Sequence, residues 1–229
     1  HDIFEGLGFK VEQVSEKVFN FYSDELSFSF IELKRIGASS IMDFILALGV
    51  TKCNKLIFLG SVGSLDENIK IGDLIVPEYS ICGDGASRYL NINLEDEFFD
   101  SLRNDYKEDE FLKREYPTKK FTDNLLEVLR DKNIKHHYVP NFSIDSVFAQ
   151  FYHIDKVLEL GAKTIEMETA CVFKCSEVLN INATALFCVS DNTLLNKSLY
   201  SGRTDEENNY RRKVRYEIVP KVIVELLKK

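Results

Sequence analysis

Thr164-Ile165-Glu166-Met167-Glu168-Thr169-Ala170 is the stretch that decides the fold. It starts as a short apolar run, breaks abruptly into carboxylates, and passes at Thr169 into a segment with helical spacing that reaches about Leu179. A buried strand that delivers acids to a sheet edge and then enters a helix is the unit of an α/β protein. The pattern returns downstream, where Ala183 to Val189 reads as a second buried strand ending in Ser190-Asp191-Asn192. Two such ends lying side by side predict a pocket with one carboxylate to hold a hydroxylated ligand and another to move a proton.

Working outward, Phe28 to Leu33 reads as a strand and Ser39 to Leu48 as a helix, through Ile41, Phe44, Ile45 and Leu48. Lys55 to Leu59 then reads as a buried strand that stops at Gly60, completing a strand-helix-strand unit of a parallel sheet. Asp73 to Pro77 supplies another strand, closed by a proline that cannot donate to a ladder. The charged, aromatic-studded stretch from Asn91 to Lys120 reads as a surface excursion. Phe121 to Asp131 reads as a helix packed through Leu125, Leu126 and Leu129, His137 to Ser143 as a strand, and Asp205 to Leu227 as a long closing helix.

With 229 residues and 45% hydrophobic content, the chain buries enough for one large domain over residues 1–229. The formal charge of −8 argues against general affinity for nucleic-acid phosphates or anionic membranes and points to a small-molecule partner. No apolar run is long enough to cross a bilayer, and the first residues lack the basic-then-apolar order of a signal peptide, so a cytoplasmic protein is expected. The cysteines (Cys53, Cys82, Cys171, Cys175, Cys188) and histidines (His1, His136, His137, His153) show no zinc-type spacing, and no metal is expected.

Gly60-Ser61-Val62-Gly63-Ser64 falls where a buried strand ends. Glycines there let backbone approach a ligand, and free N–H groups with two hydroxyls can hold phosphate, although Gly-x-x-Gly is also simply a turn. Ser190-Asp191-Asn192 occurs in penicillin-recognising enzymes, but the Ser-x-x-Lys and Lys-Thr-Gly that they also need are absent. The acids suit glycosyl transfer from a nucleoside, in which positive charge grows on the sugar and negative charge on the leaving base. Glu168 can accept hydrogen bonds from ribose hydroxyls, Met167 offers an adaptable apolar surface to the sugar ring, and Asp191 can act as general acid if burial raises its pKa. Asn192 offers amide hydrogen bonding to either class of base. The plainer alternatives are a helix N-cap at Asp191 or Asn192 and a first-turn acid at Glu168.

Gly60-Ser-Val-Gly-Ser-Leu65, Ile71-Gly-Asp-Leu-Ile-Val-Pro77, Gly83-Asp-Gly-Ala-Ser87, Ile165-Glu-Met-Glu-Thr-Ala170 and Val189-Ser-Asp191 together resemble the purine nucleoside phosphorylase and uridine phosphorylase superfamily, which includes the methylthioadenosine/S-adenosylhomocysteine nucleosidases. The likeness runs from about Ile36 to the C-terminus. It implies a single-domain, three-layer αβα fold with a twisted mixed central sheet, in dimers, trimers or hexamers. It further implies that Gly60 and Ser61 face phosphate or the attacking water, that Met167 and Glu168 contact ribose with Glu166 nearby, that Asp191 is the acid at the base, and that Phe148 lies near the base. Phosphate would be a co-substrate, with no cofactor.

Three departures accompany the resemblance. Phe58 and Leu59 stand where many phosphorylases carry a phosphate-gripping arginine; Arg88 and Arg203 are the candidate replacements, with Arg35 a further one that reads more simply as a solvated side chain. The family's opening strand and Gly-Asp phosphate loop are expected to be missing from the N-terminal side. The glycine-rich turn before the first helix is reduced to Gly37 alone. The leading expectation is a pentosyltransferase of purine salvage that cleaves with phosphate; the alternatives are a hydrolytic nucleosidase using water and a non-catalytic nucleoside-binding protein.

Overall fold

The computed structural model describes residues 2–33, 35–87, 112–197 and 202–229. Arg88 and residues 91–111 of the expected surface excursion lie outside the described residues. Helix α1 (Asp2–Gly6) leads into β1 (Lys10–Ser15), β2 (Val18–Tyr22) and β3 (Ser27–Ile31), which form a separate antiparallel sheet in the order β1-β2-β3. The expected strand at 28–33 therefore exists as β3, but it pairs with β2 instead of opening a parallel strand-helix-strand unit. The reason is local: Phe19 and Phe21 on β2 pair with Phe30 and Phe28 on β3. Phe4, Phe9, Phe19 and Phe21 bury against Val224 near the C-terminus, giving the little sheet its own aromatic core.

The main sheet has the order β6-β5-β7-β8-β4-β9, with β4 (Lys55–Ser64), β5 (Leu74–Gly83), β6 (Arg114–Glu115), β7 (His136–Ile144), β8 (Thr164–Glu166) and β9 (Asn182–Asn192). It is mixed: β4 runs parallel to β9 and antiparallel to β8, while β7 runs parallel to β5 and β8. A further antiparallel pairing, Leu74↔Cys188 and Ile75↔Phe187, joins β5 to β9 and closes five strands into a ring. Helices cover both faces. On one side α2 (Ala38–Ala47) and α5 (Thr169–Val178) pack through Ile41, Ile45, Val172 and Phe173. On the other, α3 (Lys119–Asp131) and α7 (Val219–Leu227) pack through Leu125, Leu129, Val222 and Leu226.

β9 shows why a sheet covered on both faces reads as an unbroken apolar run. Ala183, Ala185, Phe187 and Val189 enter the first layer, and Leu186 and Cys188 enter the second. β5 does not end at Pro77. It continues to Gly83 and takes up the missing donor in a register shift between Pro77 and Ser80. A helix not anticipated from sequence, α4 (Val147–Glu159), follows β7 and is capped by Ser146, whose hydroxyl accepts from the Ala149 N–H. The closing helix is α6 (Asp205–Lys213), a π-turn (Val214–Ile218) and α7. Pro220 lacks the N–H that would bond to the Tyr216 carbonyl, and the backbone widens into the π-turn just before it. All five cysteines are free thiols, four of them buried.

Candidate functional site

The two acidic segments meet on β4, though not side by side. β8 and β9 lie on opposite sides of that strand, and Gly63 pairs with Ile165 on one flank and with Asp191 on the other. A Cβ on Gly63 would sit 3.1 Å from Asp191 Oδ2 and 3.3 Å from Ile165 Cγ2, so the bare backbone is what lets the acid lie this close. Gly60 to Ser64 is not a loop of free N–H groups. It is the tail of β4, laddered to β9 and β8.

Asp191 is re-aimed by a bulge. Val62 pairs with Val189 and Gly63 with Asp191, leaving Ser190 as the extra residue. The Ser190 hydroxyl donates to Asp191 Oδ1 at 2.5 Å, and the bulge carbonyl accepts from Arg203 Nε. Asp191 is 6% exposed, and burial pushes its carboxyl up against the opposing pull of Ser190, Arg203 and Arg211. Asn192 turns inward. Its amide donates to Asp66 O at 2.8 Å, Ile69 O at 3.0 Å and Ser64 Oγ at 3.2 Å, and its oxygen accepts from Leu195 N, so in this conformation the group closes the 64–69 loop.

At the other flank Glu166 is fully engaged. Oε1 accepts from Asn141 Nδ2 at 2.8 Å and Ser143 Oγ at 2.5 Å, and Oε2 from the N–H groups of Glu168 and Thr169 at 2.7 and 2.8 Å. It satisfies donors that the start of α5 would otherwise leave open, and Ser143 Oγ accepts a further one from Ala170 N at 2.9 Å. Glu168 stands at the N-cap of α5, and its Oε1 accepts from the Gly37 N–H. Gly37 has φ 99°, a conformation that favours glycine, so the single glycine left in that turn is the one that aims this donor. Burial and the neighbouring Glu166 carboxylate push Glu168 up to about 7. Met167, between the two acids, is partly exposed.

Phe58 belongs to the core, edge-on to Phe187 with ring centroids 5.5 Å apart, and no cation can stand there. Ser61 lies three residues on, with opposite strand parity, and its hydroxyl accepts from Arg211 Nη2 at 2.7 Å. Arg211 is the candidate site residue that sequence reading missed. It comes from α6, within a charged run that reads as a solvated helix face. Burial, then Arg215 and Arg203, lower the Arg211 pKa, and its Nε is buried without an acceptor among the described residues. Arg203 reaches the Ser190 carbonyl rather than Ser61. Phe148, on the first turn of α4, is 67% exposed. The Gly83–Ser87 turn is tied internally, with Asp84 accepting from Ser87 N at 2.7 Å and Ser87 Oγ at 3.0 Å. Among the described residues no group of three His, Cys, Asp or Glu is placed to hold a metal ion, and no helix is long and apolar enough to cross a membrane.

The sequence model of the phosphorylase superfamily matches residues 9–215. No curated protein matches by sequence. Among solved structures, the uridine phosphorylase of Vibrio fischeri ES114 superposes with a TM-score of 0.77 at 18% identity, covering 99% of this chain and 86% of that one. The 5′-methylthioadenosine/S-adenosyl homocysteine nucleosidase of Campylobacter jejuni gives 0.71 at 16%, over 99% and 92%. The AMP nucleosidase of Bacteroides thetaiotaomicron VPI-5482 gives 0.63 at 16%, over 100% and 82%. At these identities the likeness is one of fold.

Proposed function

Because the chain belongs to the phosphorylase superfamily, we propose that it breaks the N-glycosidic bond of a purine or related nucleoside with phosphate, giving free base and pentose 1-phosphate. The observation that carries this reading is Arg211 on Ser61: a hydroxyl on the β4 tail meets a guanidinium that has no carboxylate partner among the described residues. An anionic nucleophile in a partly dry site needs such a cation, whereas water does not. In this scheme phosphate, held by Ser61 and Arg211, attacks C1′ of the sugar. The glycosidic electron pair leaves with the base, and Asp191 delivers a proton to a base ring nitrogen from Oδ2, the oxygen not engaged by Ser190. Glu168 and Met167 hold ribose, and Glu166 fixes Glu168 through its N–H.

Phe148, 67% exposed, Phe151, 41%, and Tyr152, 88%, share one face of α4, which supports a homo-oligomer in which a second copy covers that face. As part of the same proposal, the enzyme serves purine salvage in the cytoplasm.

The test is a panel of purine and pyrimidine nucleosides incubated with and without phosphate, following free base and pentose 1-phosphate. Phosphate-dependent release of both is expected. Base and free pentose released without phosphate would overturn phosphorolysis in favour of a hydrolytic nucleosidase. Binding without turnover under any condition would leave a nucleoside-binding protein.

A further inference from the structure

A cavity of about 660 Å³ lies on the face of α6 and the π-turn, and none of the acids assigned to the nucleoside lines it. Arg211, Arg212, Lys213 and Arg215 line it against one carboxylate, Glu217. Among the described residues none of these three arginines forms an ion pair, and Arg211 Nε is buried with no acceptor. Like charges packed together with an unmet buried donor are costly unless an oxyanion joins them. π-turns inside helices often mark functional sites, and this one carries Arg215 and Tyr216 into the cavity.

Inorganic phosphate alone leaves most of the space unused. The remaining lining favours a planar heterocycle. Tyr216 is 62% exposed and presents an aromatic face, with the Arg215 guanidinium 5.8 Å from its ring centroid. Asn208 and Asn209 add amides that donate and accept. We infer that this cavity binds a nucleoside monophosphate, its phosphate between the Arg211 and Arg215 guanidiniums and its base against Tyr216. The inference stands independently of phosphorolysis, since it needs only binding. Because the same Arg211 reaches Ser61, an occupied cavity also competes for the guanidinium assigned to inorganic phosphate.

The test is calorimetric titration of adenosine 5′-monophosphate, ribose 5-phosphate and inorganic phosphate into the wild-type protein, Arg215→Ala and Tyr216→Ala. In the wild type the nucleotide is expected to bind tightest. Arg215→Ala should weaken all three by roughly tenfold or more, the loss of one charge-assisted hydrogen bond. Tyr216→Ala should erase the advantage of the nucleotide over ribose 5-phosphate. Nucleoside cleavage at saturating phosphate should be unchanged in both variants, which also reports that they fold. No nucleotide binding in the wild type, inorganic phosphate binding as tightly as the nucleotide, or nucleotide affinity unmoved by either substitution would each overturn the proposal, the last by placing the nucleotide elsewhere.

Discussion

The two acidic flanks of β4 are built in opposite ways. At the Glu166–Glu168 flank the donors among the described residues are backbone N–H groups and neutral side chains, and the two carboxyls bear on each other with no cation among the main forces on either. At the Asp191 flank guanidiniums dominate, with Arg203 on the bulge carbonyl and Arg211 on Ser61. Glu168 consequently sits in a neighbourhood that favours its proton, while Asp191 is held between burial, which favours the proton, and arginines, which favour its loss. Within one site, backbone donors hold one pair of carboxyls and arginines gather beside the third acid.

Removing the proton donor should have the largest effect. Asp191→Asn is expected to lower the cleavage rate by about 10²–10⁴-fold, with nucleoside affinity nearly intact, in single-turnover and binding assays; an Asn variant of full activity would refute the assignment of the acid. Next comes the cation: Arg211→Ala should raise the phosphate KM by roughly 10–100-fold, with partial recovery in Arg211→Lys. An unchanged phosphate KM would detach Arg211 from the nucleophile.

Glu166→Gln comes third. It forces an amide N–H₂ against groups that donate to both oxygens, and should cost about 1–3 kcal/mol in denaturant unfolding. Glu168 gives a pH signature. In the proposed scheme its ionised form accepts from ribose, so kcat/KM should fall as pH drops through about 7, and Glu168→Gln should flatten that limb. The stability sign runs the other way. With the folded pKa above that of an ordinary glutamate, the folded state holds the extra proton between the two, so this group's contribution is lost as pH rises through about 7, and Gln should abolish that loss. Smallest is Gly37→Ala, which meets no atom within 4 Å but strains a φ of 99°, for about 1 kcal/mol and a modest rise in nucleoside KM.

Much of this frame is legible in the sequence because periodicity reports burial. β4, β7, β9, α2, α3 and α5 all lie where their apolar spacing predicts. α4 carries apolar residues at helical spacing, Val147, Phe151, Ile154 and Leu158, and could have been read, although only Gln150 and Val157 along it are buried. The topology was less legible than its elements: nothing local in Phe28 to Ile31 says that Phe19 and Phe21 will claim it before a parallel partner can. Asn192 looked like a ligand group because an amide at a strand end is free on paper, while three acceptors and one donor of the folded chain consume it. Arg211 is the clearest limit. A guanidinium inside Asp205 to Lys213 looks solvated until the fold brings it to a serine 150 positions earlier.

The ring closed by the β5–β9 pairing has a consequence for how the protein is made. β9 supplies the partner for the whole length of β4, from Lys55↔Asn182 to Ser64↔Asn192, and it also seals the edge of β5. During synthesis both strands must wait, unpaired on that side and rich in apolar residues, until Asn192 has emerged, whereas the N-terminal sheet can pair as soon as Ile31 is out. The nascent chain therefore keeps two apolar strand edges open until a single late strand arrives to cover both.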